Sequence, residues 1–289
     1  MKLGVSSYSF SRLVRSGTMT QLDVVHKAKA MGFEFIEFSG LSTPSEVTLE
    51  AFAHQVRDTC AEIGLPILNY TIGADLLNGS NGDWKAEVER LRGELAIAKI
   101  LGVVGMRHDA TRGYSADHVG PRGFDDALPT LIKGCRAVAD YAADLGIRTM
   151  VENHGFFCQD SERVEKLVNG VNHPNFGLLL DMGNFLCADE DAQKAVGRTI
   201  PYAFHVHAKD FHVKSGSQAD PGTGWFRSRA GNYLRGAIIG HGEVPISACI
   251  GIMKRAGYDS TLSIEFEGME PVLDGIAIGL DNLRRFVAG

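Results

Sequence analysis

The 289-residue sequence predicts a closed (β/α)8 barrel. Three observations carry that expectation. Short apolar runs alternate with longer amphipathic ones along the whole chain, through eight strand–helix units. A glycine recurs where an amphipathic run gives way to the next apolar one, in MGFEFIEF, IGLPILNY, KILGVVGM, LGIRTMVE and AGYDSTLSIEF; there it closes a helix and turns the chain. The apolar runs are nearly continuous, as in parallel strands buried on both faces. No G-x-G-x-x-G follows the first strand, which argues against an open dinucleotide-binding sheet.

The elements follow in order. The first strand is Leu3 to Ser7, and a helix from Gln21 to Met31 has Thr20 as its N-cap. Strand two is Phe33 to Phe38, followed by helical periodicity over 46–63. Strand three is Leu65 to Asn69, with a helix from Asp83 to Ile100. Strand four is Leu101 to Met106, with a helix from Asp125 to Leu145. Strand five is Ile147 to Glu152, with a helix from Ser161 to Asn169. Strand six is Phe176 to Asp181, with a short helix from Glu190 to Val196. Strand seven is Tyr202 to His207, and a long irregular stretch fills 210–243. Pro245 opens a helix that reaches Ala256, because proline is tolerated in a first turn. Strand eight is Thr261 to Phe266, and the last helix runs from Leu273 to Val287. No Pro/Gly/Ser linker divides the chain, so residues 1–289 are expected to form one barrel domain with an insertion at 210–243.

Composition narrows the function. A hydrophobic fraction of 44% in a chain this long supplies a substantial core. The formal net charge of −6 argues against a nucleic-acid partner. No apolar stretch is long enough for a membrane span, and the N-terminus MKLGVSSYSF lacks a secretory apolar core. Five scattered cysteines with no C-x-x-C pair suit a reduced, cytoplasmic protein and give no cysteine zinc site.

Active sites of such barrels lie at the C-terminal ends of the strands. Glu152, Asp181, His207 and Glu265 end, or nearly end, four consecutive apolar runs. Three carboxylates and an imidazole crowded together would be costly without a positive charge among them. One divalent cation is therefore expected, and oxygen-rich ligation with one nitrogen suits manganese, magnesium, cobalt or zinc. His205 shares a strand face with His207 one layer deeper, as a ligand or as a hydrogen-bonded interior histidine. Arg107 and His108 directly follow strand four, Glu37 lies near the end of strand two, and Lys209 and Glu267 follow the last two strands. Arg107, His108, Lys209 and Glu267 are candidates for substrate contact, and Glu37 for support. In the insertion, Arg227, Arg229 and Arg235 with Trp225 and Tyr233 are candidates to cap the site and clamp an anionic group.

The segments TMVENHG, GLLLDMGNF, YAFHVHAKD and GYDSTLSIEFEG resemble those of the sugar phosphate isomerase/epimerase group of the xylose isomerase-like barrels. The resemblance covers essentially the whole chain. It implies a manganese-type metal enzyme, an isomerase or epimerase of a sugar, keto-sugar or inositol derivative. Glu152 and Glu265 would be both metal ligands and acid/base carboxylates on the two faces of an enediolate. The ketose 3-epimerases of this group carry a substrate-contacting histidine where this chain has Asn184, an amide that cannot take a positive charge. His154, two residues past Glu152, and His108 are the candidate replacements as proton donor. The segment RSRAGNYLRGAIIGHGEVP is also similar to a branch related to C-glycoside deglycosidase large subunits, which work with a small β-rich partner. The alternative function is thus a lyase, a keto-inositol dehydratase or such a deglycosidase. The resemblance further implies a homo-dimer or homo-tetramer.

Overall fold

A computed structural model describes residues 1–289. Eight parallel strands close into a barrel: β1 (Lys2–Ser6), β2 (Phe35–Ser39), β3 (Ile67–Ile72), β4 (Gly105–His108), β5 (Arg148–Glu152), β6 (Phe176–Asp181), β7 (Ala203–Ala208) and, beyond three strands of the insertion, β11 (Thr261–Ile264). β1 pairs with both β2 and β11, so the sheet has no free edge. Around it run α2 (Gln21–Ala30), α3 (Leu49–Glu62), α4 (Trp84–Leu101), α5 (Phe124–Asp144), α6 (Ser161–Val171), α7 (Ala192–Thr199), α8 (Ile246–Arg255) and α9 (Val272–Ala288), after the short α1 (Ser11–Arg15). Thr20 caps α2 in a reciprocal capping box with Asp23. No helix is long and apolar enough to cross a membrane.

Three strands begin later than their apolar runs suggest, for a common reason. The apolar residue after each helix-ending glycine is still bonded back into the helix: Phe33 N–H donates to Ala28 O, Leu65 to Cys60 O and Val103 to Ala98 O. This is the six-to-one bond of a Schellman closure, whose last residue packs on the helix before the strand starts. Hence β2 begins at Phe35, β3 at Ile67 and β4 at Gly105.

The barrel floor is filled by side chains. Gly4 leaves room for the Phe35 ring, whose Cε2 lies 2.2 Å from where a Cβ would stand. Phe35 in turn meets the edge of His205, ring centroids 5.9 Å apart.

The stretch 210–243 is not irregular. It folds into an antiparallel sheet of β8 (Asp210–Lys214), β9 (Phe226–Arg227) and β10 (Tyr233–Ala237), in the order β8-β10-β9. Tyr233 lies opposite Lys214 on one side and Arg227 on the other. Asp210 ties its base: the carboxylate accepts from the backbone N–H of Phe211, Gly240, Gly242 and Val244 at 2.8–3.0 Å. β10 then runs so close to the loop after β11 that a Cβ on Gly236 would stand 2.4 Å from Glu267 O.

Candidate metal centre and cleft

The ends of β5, β6, β7 and β11 bring Glu152, Asp181, His207 and Glu265 together, one ligand atom from each lying within 4.8 Å of the others. Nδ1 of His207 is 3.8 Å from Glu152 Oε1, 3.7 Å from Asp181 Oδ2 and 3.5 Å from Glu265 Oε2. Asp181 is fixed by the backbone: its Oδ1 accepts from Gly183 N–H at 2.8 Å and Asn184 N–H at 2.9 Å. Its Oδ2, like Nδ1 of His207, is buried without a hydrogen-bond partner. Buried polar atoms seldom stay unpaired. Two such atoms aimed at two more carboxylates form a donor set that fits one divalent cation.

Glu37 stands behind His207. Its Oε1 is 2.5 Å from His207 Nε2, off the line of a regular hydrogen bond, and its Oε2 is 3.1 Å from His205 Nε2. Burial would push the Glu37 carboxyl up; the imidazoles of His207 and His205 overcome that and hold it well below the usual range. Asn69 donates to the same Oε2 at 3.2 Å. His205 sits deeper, its Nδ1 2.6 Å from Thr261 Oγ1 and its Nε2 3.1 Å from Ser263 Oγ, as an interior histidine.

Two cations flank the cluster. Lys209 Nζ is 2.6 Å from Glu265 Oε2 and 3.2 Å from Asp181 Oδ2, and donates to Asn184 Oδ1 at 3.2 Å. Burial opposes the charge on both partners, yet the pairing keeps the ammonium protonated and the Glu265 carboxyl well below its usual value. Arg107 Nη2 is 2.6 Å from Glu152 Oε2 and 2.8 Å from Asp109 Oδ1. Asn184 Nδ2 donates to the other Glu152 oxygen at 2.9 Å. Burial pushes the Glu152 carboxyl up despite Arg107.

Above these groups opens a cleft of about 340 Å3, lined among others by Glu152, His154, Asn184, Lys209, Glu265 and Glu267. That volume suits a small-molecule ligand. His154 is anchored by Nδ1, 2.8 Å from Asp109 Oδ1. Tyr8 donates to Glu267 Oε2 at 3.3 Å.

Several expected contacts fall elsewhere. His108 points away from the cleft, because it alternates with Arg107 along β4; it is fully buried, with Nδ1 2.8 Å from Asp109 O. The insertion's arginines are spent on the insertion itself and on neighbouring loops. Arg227 lies over the Tyr233 ring at 4.2 Å and donates to Gly231 O. Arg229 binds Phe156 O and Asp160, and Arg235 lies over the Trp225 ring at 5.5 Å. Phe226 of β9 reaches the cleft instead. Sequence reasoning also passed over Asp109, Gln159 and Phe156, loop residues that no apolar run points to.

This barrel, with its acidic strand ends, is matched by the family model described as xylose isomerase-like TIM barrel over residues 25–286, and the chain belongs to that family. Within it, the chain is 24% identical over 140 residues to an inosose dehydratase of Geobacillus thermodenitrificans (strain NG80-2), a match covering 47% of this chain and 46% of the relative. The chain thus spans about half the length of the curated relatives it matches. Among solved structures, the probable 3-DHS dehydratase AsbF of Bacillus anthracis superposes with a TM-score of 0.75 at 19% identity, over 98% of this chain and 99% of that one. An L-ribulose 3-epimerase superposes with a TM-score of 0.72 at 17% identity, over 100% and 95%. At these identities the superpositions establish the fold; the relatives include both dehydratases and epimerases.

Proposed function

We propose that this chain is a divalent-metal-dependent enzyme that moves a proton on the carbon next to a carbonyl, isomerising or epimerising a sugar-like, polyhydroxylated substrate. The observation that carries this reading is the convergence of Glu152, Asp181, His207 and Glu265 beneath the cleft, with neither Asp181 Oδ2 nor His207 Nδ1 in a regular hydrogen bond. Those four side chains would hold the ion, which supplies polarisation of a carbonyl and a grip on neighbouring hydroxyls. Glu152 and Glu265 also have the placement for acid/base work. β5 and β11 are separated around the barrel by β6 and β7, so the two carboxylates approach a bound substrate from different sides. Arg107 and Asn184 fix the orientation of Glu152, and Lys209 that of Glu265. Lys209 is also a donor for a substrate oxygen on which negative charge develops.

A second reading, a lyase that expels water, is favoured by His154. With Nδ1 committed to Asp109, its other ring nitrogen is the one left for a leaving hydroxyl, the part of a general acid. Turnover of keto-sugars and keto-inositols in deuterated water with added manganese, followed by proton NMR, separates the two. Deuterium entry into an unbroken, isomerised product supports the first reading, and a dehydrated product the second. Failure of Glu152→Gln and Glu265→Gln each to cut turnover by at least about 100-fold would remove both carboxylates from the chemistry.

A further inference from the structure

The cleft above the four-residue cluster is not closed on the side of β2 and β3. There it meets a second cavity of about 440 Å3, and Ser39, Thr71 and Arg107 line both spaces. The three are register neighbours across β2, β3 and β4, Ser39 opposite Thr71 and Thr71 opposite Arg107. They form the sill between the two spaces. Arg107 is fixed in that sill. Its Nη1 donates to Ile72 O at 3.1 Å. Its Nη2 reaches Glu152, which lines the cleft, and Asp109, which lines the second cavity.

The second cavity offers charged groups in balanced pairs. Arg90 and Glu94 come from α4, one turn apart, with Arg90 Nη1 3.6 Å from Glu94 Oε1. Arg107 and Asp109 are the other pair, at 2.8 Å. Asp109 uses one oxygen for both of its partners: Oδ1 is 2.8 Å from Arg107 Nη2 and 2.8 Å from His154 Nδ1. Its Oδ2 lies beside Gly73, another residue of the lining, 3.9 Å from where a Cβ on that glycine would stand. Leu49, the first residue of α3, adds an apolar flank and is 38% exposed.

This lining selects by charge. Each cation stands against a carboxylate of the same lining, so a phosphate or an ammonium group would be repelled by one member of each pair while drawn to the other. A hydroxyl both donates and accepts. A polyol can therefore bond to carboxylate and guanidinium together, while the C–H face of its ring rests on the apolar flank.

We propose that this cavity is a second sugar subsite, which holds an uncharged polyhydroxylated unit linked to the one that reacts above the cluster. This rests on the reading of the cluster as the reaction centre and adds the substrate class, two linked sugar-like units rather than one. Asp109 then joins the two: Oδ1 holds Arg107 beside Glu152 and anchors His154, and Oδ2 takes a hydroxyl of the second unit.

The test is calorimetric titration of manganese-loaded protein with methyl β-D-glucopyranoside, cellobiose and maltose. One of the two disaccharides is expected to bind about tenfold tighter than the methyl compound. Leu49→Trp fills the second cavity from its rim. It should cut that advantage to less than about twofold and leave binding of the methyl compound unchanged. Leu49 belongs to neither apolar cluster of the core, so the variant should melt close to wild type. Neither disaccharide binding tighter than the methyl compound, an advantage that survives Leu49→Trp, or a folded Leu49→Trp protein that loses the methyl compound equally would each overturn the subsite. Manganese content measured on the same samples distinguishes the two levels. Metal present without a disaccharide advantage counts against this subsite alone, and metal absent from the wild type counts against the reaction centre and the subsite with it.

Discussion

Glu37 Oε1 lies 2.5 Å from Nε2 of His207, so the imidazole is held from behind while its Nδ1 faces the carboxylates of Glu152, Asp181 and Glu265. A carboxylate behind a ligand histidine fixes its ring and tautomer and raises its basicity. Glu37→Gln keeps the shape and removes the charge. It should weaken divalent-metal binding by about 10–100-fold while the melting temperature of the metal-free protein changes little. Isothermal titration with manganese reads the first quantity and calorimetric melting the second; wild-type metal affinity in the variant would show that Glu37 only fills space.

The fold was legible in the sequence because a parallel barrel writes one period eight times. What the period blurred was the junction between helix and strand. Phe33, Leu65 and Val103 read as strand because they are apolar, yet each is bonded back to its helix through a closing turn. The four cluster residues stood out because each closes an apolar run. Asp109 and Phe156 did not, since their roles depend on contacts between loops far apart in sequence: Asp109 with His154, Phe156 with Arg229. The insertion read as irregular because β9 has only two residues and β8 and β10 are separated by turn-rich sequence. Its arginines suggested an anion clamp, but stacking on Tyr233 and Trp225 and bonding to Phe156 and Asp160 absorb them.

Asp109 links Arg107 to His154, and its carboxyl is lowered to about 2. Burial disfavours its charge; Arg107 and His154 outweigh that. A carboxyl whose folded value lies below its unfolded value contributes its full stability above the unfolded value and loses it as the pH falls through the folded one. The contribution, on the order of 2 kcal/mol, should therefore be complete above about pH 4 and fade by about pH 2. Urea unfolding of wild type and Asp109→Asn at steps between those values checks it. The stability gap between the two proteins should shrink across the window, and a constant gap would show that Asp109 is not held down by its neighbours.

The insertion can be removed where it is already a hairpin. Lys214 and Tyr233 are directly opposed on β8 and β10, so residues 215–232 can be replaced by Asn-Gly, which favours a tight two-residue hairpin turn. The barrel should stay folded, because Asp210 still anchors the base of β8 through four backbone N–H groups. Turnover should fall by at least about tenfold, since Phe226 and the Arg229 brace on Phe156 go with the loop. Unchanged kinetics in the shortened protein would leave the sheet with no part in the cleft.

The central claim, that Glu152, Asp181, His207 and Glu265 hold one divalent ion, is tested most directly by manganese titration of chelator-treated protein and its Asp181→Asn variant. Asparagine retains an oxygen for Gly183 N–H and Asn184 N–H, the contacts that fix the loop after β6, while losing the charge that faces His207 Nδ1. Wild type should bind one ion per chain, and Asp181→Asn should bind it at least about 100-fold more weakly with its circular dichroism unchanged. Binding of wild-type strength in the variant, or no binding to a folded wild type, would contradict the claim.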